Sequence, residues 1–429
     1  MSDRNGDARP ELRRELGKWD LTAIGVNQVI GAAIFATPGT LAAQVGGWSW
    51  VGVMAIGLLA MLVALCFAEA ASRFDRTGGA YLYTRASFGR FPGFQVGWML
   101  FVTRATSWAS VINALTDALG YYWPELRAGV PRVLVITIVI IAITIVNVRG
   151  VRQSAYVVDF LTLAKLTPLL VFIALGLPHV DAGPLRPDVS LTLTQISATS
   201  LLLIFAYGGF EVIPVPAGET RDPTRAVPFA MIATIAIVAI VMTLVQIVAL
   251  GTLPGLATSK TPLADASAVF IGAWGAFLMT AGAAISMTGN NVGQALSGSR
   301  NLFALAEQGD LSPIFAHVHA RFRTPDFAIV FISSVALLLA IFSDFRTLAA
   351  VSAIARLVVY GGTCASVLAM RRRQGRAPFT VPLGPTVPIL ALVISTAVLY
   401  GATALQLKVG ALFLVAGAAL YFLAQWRRK

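Results

Sequence analysis

The sequence predicts an all-α, polytopic membrane protein. Apolar residues make up 57% of its 429 residues and charged residues only 12%, against about 25% charged residues in soluble domains. Apolar stretches of about 20 residues, the length a helix needs to cross a bilayer, recur along the whole chain. Two of these stretches are interrupted by glycine near their middle, at residues 25–39 and 201–218.

Hydropathy predicts twelve membrane-spanning helices. The polar stretches between them reach only about 20 residues, too few for a second, soluble domain. The predicted spans are residues 20–44, 48–71, 93–120, 131–148, 155–177, 195–218, 227–250, 270–304, 326–342, 346–370, 385–404 and 407–425.

The distribution of basic residues predicts the orientation of the chain. With the N-terminus inside, 23 of the 32 Lys and Arg residues fall in inside segments and 6 in outside segments. The positive-inside rule then places both termini in the cytoplasm of a chain in the inner membrane. The net charge of +12 is thus explained by topology, so nucleic-acid binding is not predicted. Residues 1–18 lack the apolar core of a cleavable signal and are predicted to form a cytoplasmic tail.

The chain offers few residues for metal, redox or catalytic chemistry. Cys66 and Cys364 both lie in predicted spans, so no disulfide framework is indicated. The three histidines lie in loops, and none belongs to a cluster with metal-ligand spacing. No Walker-type or HExxH motif occurs. The sequence therefore predicts neither an enzyme nor a metal or cofactor site.

The two interrupted spans predict a central binding site. Glycine and proline at mid-membrane depth free backbone N–H and C=O groups, which is tolerated only where the break is buried in protein or lines a cavity. For a single glycine, close helix packing would be the simpler explanation. Matching breaks in corresponding halves of a chain instead indicate the substrate site of a transporter.

Seven sequence strings, in order, resemble a known superfamily. They are IGAAIF (30–35), TGGAYLYTRASFG (77–89), GFQVGW (93–98), NVRGVRQS (147–154), LAKLTPLL (163–170), FAYGGFE followed by GETRDPTRAVP (205–228), and SGSRNLFALAEQGDLSP (297–313). Together they resemble the amino acid–polyamine–organocation superfamily, closest to its L-type-like and bacterial amino acid permease branch. The resemblance covers essentially the whole chain.

The resemblance implies a fold and an activity. Ten core helices would form two inverted five-helix repeats, with the first and sixth helices broken and two further helices at the C-terminus. The core would cover residues 19–370, with repeats at about 19–177 and 195–370, and residues 371–429 would hold a linker, helices 11 and 12 and a basic tail. The implied activity is sodium-independent secondary transport of amino acids by alternating access, and no partner subunit is predicted.

The predicted substrate site lies at the two breaks. A half-helix N-terminus presents unpaired N–H groups to an anion, so the first break suits the substrate carboxylate and the freed carbonyls of the second break suit its ammonium. The superfamily's usual G-S-G or G-A-G is Gly31-Ala32-Ala33 here, so a narrower or shifted break is expected. The predicted substrate-binding residues are Ile30, Gly31, Ala32, Ala33, Phe205, Ala206, Tyr207, Gly208 and Asn290.

Intramembrane charges supply the predicted coupling residues. The resemblance implies that Phe205 gates the substrate and that Lys165 replaces a sodium ion and bonds the broken first helix. Glu211 is predicted either to carry a proton or to pair with a cation, for which Arg104 is the candidate; Arg104 would alternatively face an acidic substrate. Arg356 is assigned no role.

Several functional alternatives stay open at this stage. A polyamine or organic-amine permease would need several carboxylates in its pocket, whereas the spans offer mainly Glu211. A membrane sensor that binds amino acids without transporting them would carry the same site. The small and apolar pocket residues favour a neutral amino acid. The sequence does not decide among exchange, proton symport and uniport.

Overall fold

The computed structural model describes residues 16–74, 78–150, 155–187, 190–215, 217 and 220–426, and the side chains from residue 162 onwards in the helix that begins at 155. Within these residues the fold is all-helical, with fifteen α-helices joined by loops and short 3₁₀ turns. The α-helices are α1 Lys18–Val29, α2 Ala33–Val45, α3 Ser49–Ala71, α4 Gly79–Phe88, α5 Arg90–Leu119, α6 Gly129–Arg149, α7 Ala155–Gly176, α8 Leu193–Ala206, α9 Pro223–Thr252, α10 Pro262–Phe270, α11 Ala273–Glu307, α12 Asp326–Phe342, α13 Phe345–Gln374, α14 Thr386–Val398 and α15 Ala404–Trp426.

Several helical stretches have the dimensions of membrane spans. Among the described residues, six are long and apolar enough to cross a bilayer, and three further apolar helices are shorter. α6 and α15 turn large aliphatic and aromatic side chains outward, including Leu134, Ile138 and Phe422. Such surfaces are stable against lipid tails. The six stretches are Ala33–Ala71, Gly129–Arg149, Thr162–His179, Pro223–Thr252, Phe345–Gln374 and Ala404–Trp426.

The first predicted break coincides with the gap between α1 and α2. α1 ends at Val29, and α2 begins at Ala33 after a bend over residues 30–32. Ala33 is already helical, and Gly31 is not among the described residues with positive φ. Alanine at position 33, where the superfamily usually has glycine, is therefore compatible with this break, because the chain turns here in ordinary regions of backbone space.

The second break differs from the predicted span of residues 195–218. α8 ends at Ala206, and a turn with a single 3₁₀ helix, Phe210–Val212, follows instead of a second α-helical half. Pro214 has no backbone N–H to donate to a continuing helix, which disfavours an α-helix at this point. Residues 216 and 218 of the predicted span lie outside the described residues.

The two breaks touch because Gly209 allows the backbones to approach. Gly209 has φ +133°, and a Cβ atom there would lie 2.6 Å from the carbonyl oxygen of Gln28, the penultimate residue of α1. An L-residue side chain at this position would be both strained and in collision with backbone. Gly209 thereby holds the irregular chain after α8 against the end of α1.

Two helices of the structure were not predicted. α4 and α10 contain 10 and 9 residues, too few to cross a bilayer. Hydropathy identifies spans by about 20 consecutive apolar residues, so short helices between spans are not detected. α11, with 35 residues, extends to Glu307, three residues beyond its predicted end.

Candidate functional site

A small cavity lies between the two breaks, and we refer to it as the central cavity. Its volume is about 20 Å³, which is room for about one water molecule. An amino acid therefore needs the surrounding elements to separate before it fits. The lining residues are Gln28, Val29, Gly31, Ala32, Ala33, Ser107, Val111, Phe205, Ala206, Gly208, Asn290, Gln294 and Arg356.

The N-terminus of α2 presents backbone donors at the central cavity. The amides of the first residues of a helix have no partner within that helix, and here they belong to Ala33 and Ile34. On the opposite wall, the Asn290 side chain donates to the carbonyl of Gln28 at 2.9 Å. The carboxylate-binding role predicted for this break stays a prediction. Ala33, at the start of α2, lines the same cavity as the polar side chains of Asn290 and Gln294.

Gly31→Val is expected to abolish substrate binding. A Cβ atom at Gly31 would lie 2.8 Å from the amide nitrogen of Asn290, so a branched side chain must push Asn290 away from the central cavity. A titration of thermal stability with substrate measures the loss. Gly361→Val is the matched control, because the nearest atom to a Cβ there is the flexible end of Leu392 at 3.9 Å. Wild-type affinity in Gly31→Val would show that the carboxylate binds elsewhere.

Two of the predicted binding residues do not line the central cavity. Tyr207 turns away from it and donates its hydroxyl to the carbonyl of Val53 on α3 at 2.9 Å. Ile30 has its carbonyl occupied, since the Ser286 hydroxyl donates to it at 3.2 Å. At the second break the Phe205 carbonyl accepts from Arg356 at 3.4 Å. A substrate ammonium would share that oxygen with a guanidinium.

Lys165 on α7 reaches the end of the first broken helix. Its fully buried ammonium donates to the carbonyls of Asn27 at 2.9 Å and Ile30 at 3.4 Å. These carbonyls lie at the C-terminal end of α1, where the negative end of the helix dipole favours a cation. The contact between Lys165 and the first helix is thus present in the structure, while its role in coupling stays a prediction.

A buried cluster of three charges lies beside the second break. The Glu211 Oε1 atom accepts from Arg104 at 3.1 Å and from Arg356 at 3.0 Å. The second carboxylate oxygen accepts from the Gly209 amide at 2.8 Å. All three charged residues are no more than 2% exposed. Arg356, to which the sequence assigned no role, is therefore a full member of this charge cluster.

Glycine at position 208 makes room for the charge cluster. A Cβ atom there would lie 1.9 Å from the Arg356 guanidinium, so the arginine packs directly against the backbone of the second break. Arg104 extends the cluster by donating to the Gln294 side chain at 3.3 Å. Gln294 lies one turn after Asn290 on α11 and donates to it at 3.3 Å. Asn290 and Gln294 are side-chain amides four residues apart in an apolar helix. That spacing, which places both on one face of the helix, is the signal that would have predicted Gln294 as a site residue.

A larger chamber, which we refer to as the vestibule, lies beyond the central cavity. Its volume is about 490 Å³, within the range of small-molecule sites. The rings of Phe205, on the central cavity, and Phe345, on the vestibule, meet edge to face with centroids 5.8 Å apart. This aromatic pair thus contributes one lining residue to each space. Charged side chains line the vestibule, namely Asp117, Arg127, Lys260, Asp344 and Arg346.

Ion pairs join helix ends elsewhere in the fold. Asp310 is fully buried after α11, where it accepts from Arg90 at 2.8 Å and from the Tyr81 hydroxyl at 2.8 Å. Burial and the neighbouring Asp310 carboxylate raise the pKa of Tyr81 well above its usual range, so the hydroxyl stays a donor. Glu69 on α3 is also fully buried and pairs with Arg371 of α13. The sequence did not predict the partners Asp310 and Arg371.

Comparison with known families identifies the chain. The sequence profile of a family described as amino acid permease matches residues 16–423, nearly the whole protein. The chain belongs to the amino acid permease family. The resemblance read from the seven strings is thus confirmed, and the apolar helices described above are those of an integral membrane transporter.

Individual relatives of this permease carry transporter names. It is 31% identical to an uncharacterised transporter of Mycobacterium tuberculosis over 88% of this chain and 85% of that protein. It is 27% identical to a serine/threonine exchanger of Bacillus subtilis over 89% of each chain. It is 26% identical to a methylthioribose transporter of the same organism over 96% of this chain and 93% of that protein.

Proposed function

We propose that this permease is a sodium-independent secondary transporter of amino acids that works by alternating access. The observation that carries the proposal is the meeting of the two breaks around the central cavity, with a buried ammonium on one side and a buried charge cluster on the other. Matched breaks of this kind indicate a transporter's substrate site. The proposal assigns the protein no catalytic reaction.

The substrate is proposed to bind across the central cavity. Its carboxylate would face the N–H groups at the start of α2, since a helix N-terminus attracts an anion. Its ammonium would face the carbonyls that end α8 near Ala206. Asn290 and Phe205 line the same space, and Phe205 is proposed to act as the gate towards the vestibule. Lys165 and Glu211 are proposed as the coupling residues. Lys165 would act through its bonds to the end of α1, and Glu211 as the ionised carboxylate that holds Arg104 and Arg356 beside the second break.

The position of the vestibule supports entry of substrate to the central cavity from the outside of the membrane. The vestibule is lined by Phe345 of the aromatic pair, whereas the Asp310 and Glu69 ion pairs join helix ends elsewhere. The vestibule carries Arg127, Lys260 and Arg346, which the positive-inside rule assigns to the outside. We therefore propose that the structure represents an outward-facing state. We also propose, from the sequence, that both termini lie in the cytoplasm and that the chain has twelve spans, with two inverted repeats in residues 19–370.

The substrate is proposed to be an amino acid, with a neutral one expected from the small residues of the breaks. Relatives named for serine and threonine, for branched-chain amino acids and for methylthioribose all match most of the chain, so their names do not select one substrate. A competition uptake screen with all amino acids in proteoliposomes tests the proposal. Binding without uptake would favour a sensor, and inhibition by polyamines alone would favour an organic-amine permease.

Uptake is expected to be the same in sodium and in choline buffer. The ammonium of Lys165 already occupies the carbonyls at the end of α1 that a sodium ion would need. Initial rates of substrate uptake into proteoliposomes, measured at equal ionic strength in the two buffers, check this. A tenfold stimulation by sodium would remove Lys165 from its proposed role.

A further inference from the structure

The charge cluster carries a surplus positive charge. Arg104 and Arg356 share the one carboxylate of Glu211, and each arginine is charged at any physiological pH. The cluster therefore has a formal charge of +1 within the apolar core of a membrane protein. An uncompensated charge in such a place is costly, and intramembrane charges are normally paired or functional.

The cluster also has hydrogen-bond donors to spare. Arg356 uses its Nε atom for Glu211 and one Nη1 hydrogen for Phe205, which leaves three of its five N–H groups without a hydrogen bond to any described residue. The buried Nε atom of Arg104 likewise has no partner in the described part of the chain. A guanidinium with free N–H groups is well suited to bind an anion.

Arg356 connects this surplus charge to the substrate. It lines the central cavity together with Ala33 and Gly208. The carboxylate and ammonium of a bound amino acid cancel each other in charge, and the carboxylate is already assigned to the start of α2. A zwitterionic substrate therefore leaves the net charge of +1 on the charge cluster unchanged. A further anionic group is needed to neutralise that charge.

We propose that the guanidinium of Arg356 is an anion subsite of the central cavity, which binds one monovalent anion next to the α-amino and α-carboxyl groups. The anion is either a carboxylate on the substrate side chain or a free halide that binds with a neutral substrate. The inference rests on the proposed function in placing the amino acid beside Arg356. It makes Arg356 a specificity-determining residue in either case.

Binding to the purified protein tests the subsite without requiring transport. Calorimetric or thermal-shift titrations compare aspartate with asparagine and glutamate with glutamine, which are pairs of equal shape that differ in charge, in methanesulfonate buffer free of chloride. The same titrations with neutral amino acids are repeated in chloride. We expect either at least tenfold tighter binding of an acid than of its amide, or at least tenfold tighter binding of a neutral amino acid in chloride.

Variants of Arg356 assign that preference to the subsite. Arg356→Gln should remove at least nine tenths of the preference, and Arg356→Lys should keep part of it. The glutamine variant still pairs Arg104 with Glu211 one to one, so it should fold. Arg372→Gln is the matched control, since Arg372 is an exposed arginine on the same helix.

Each result bears on a separate claim. Discrimination of acids from amides identifies the side-chain carboxylate as the anion, and dependence on chloride identifies the halide. Absence of both effects in the wild-type protein overturns the subsite, as does a preference that Arg356→Gln retains. If Arg356→Gln does not fold, Arg356→Lys decides, and a preference as large as that of the wild type in the lysine variant overturns the subsite. Failure to take up any amino acid into proteoliposomes would overturn the proposed function instead, while leaving the binding result intact.

Discussion

Glu211→Gln is expected to destabilise the protein strongly. The substitution keeps the shape of the side chain but removes the one negative charge that Arg104 and Arg356 share. Two buried guanidinium groups that approach the same oxygen atom then repel each other without compensation. Breaking a buried ion pair by removing one partner costs about 3–5 kcal/mol, and here two pairs break at once.

Thermal stability in detergent, followed by the loss of monodisperse protein on heating, measures the effect. Glu125→Gln is the matched control, because Glu125 is an exposed residue of a short 3₁₀ turn and surface substitutions usually change stability by about 0.5 kcal/mol or less. The double variant Glu211→Gln with Arg356→Gln should recover part of the loss, since only one buried cation remains. Recovery by the second substitution would show that repulsion between the arginines causes the damage.

The same variant tests whether Glu211 carries a proton. A carboxylate held by two arginines and the Gly209 amide is expected to stay ionised through the transport cycle. Uptake by any surviving Glu211→Gln protein should then keep the pH profile of the wild type between pH 5 and 8. Unchanged stability with a flattened profile would contradict the pairing and assign proton exchange to Glu211.

The breaks could be located from the sequence because the interruption of a helix depends mainly on the residues at the break itself. Glycine within an apolar stretch interrupts a helix whatever surrounds it, and the gap between α1 and α2 lies where Gly31 indicated. Lys165 was identified for a similar reason, since a single lysine in the middle of an apolar span must find acceptors. The acceptors are carbonyls of the first broken helix, as the superfamily resemblance implied.

The partners in ion pairs between residues far apart in the sequence could not be predicted from local sequence. Arg356 and Glu211 are 145 residues apart, and no periodicity within α13 indicates which carboxylate it meets. The second break likewise ended as a 3₁₀ turn because tertiary contact with Gln28 holds Gly209 at positive φ. Such features depend on how helices pack. Hydropathy reports only that a segment is buried in lipid or protein, and that leaves the packing undetermined.

Lys165→Ala is expected to reduce uptake to background while leaving a folded protein. The ammonium ties α7 to the carbonyls of Asn27 and Ile30, so its removal leaves these buried acceptors without their donor. An unsatisfied buried group costs about 1–3 kcal/mol, but the variant also removes a buried charge that was itself costly. The net change in stability should therefore be modest, and the position of the first break should be lost.

The expected functional loss follows from where those carbonyls lie. Ile30 directly precedes Gly31, which lines the central cavity and leads into α2, at whose start the substrate carboxylate is proposed to bind. A shift of α1 therefore moves the donors of the central cavity. Uptake and substrate-induced thermal stabilisation are measured together in sodium and in choline buffer. Leu163→Ala, an exposed position two residues earlier in α7, should retain wild-type uptake. Wild-type rates for Lys165→Ala in both buffers would show that the contact only holds the helices together.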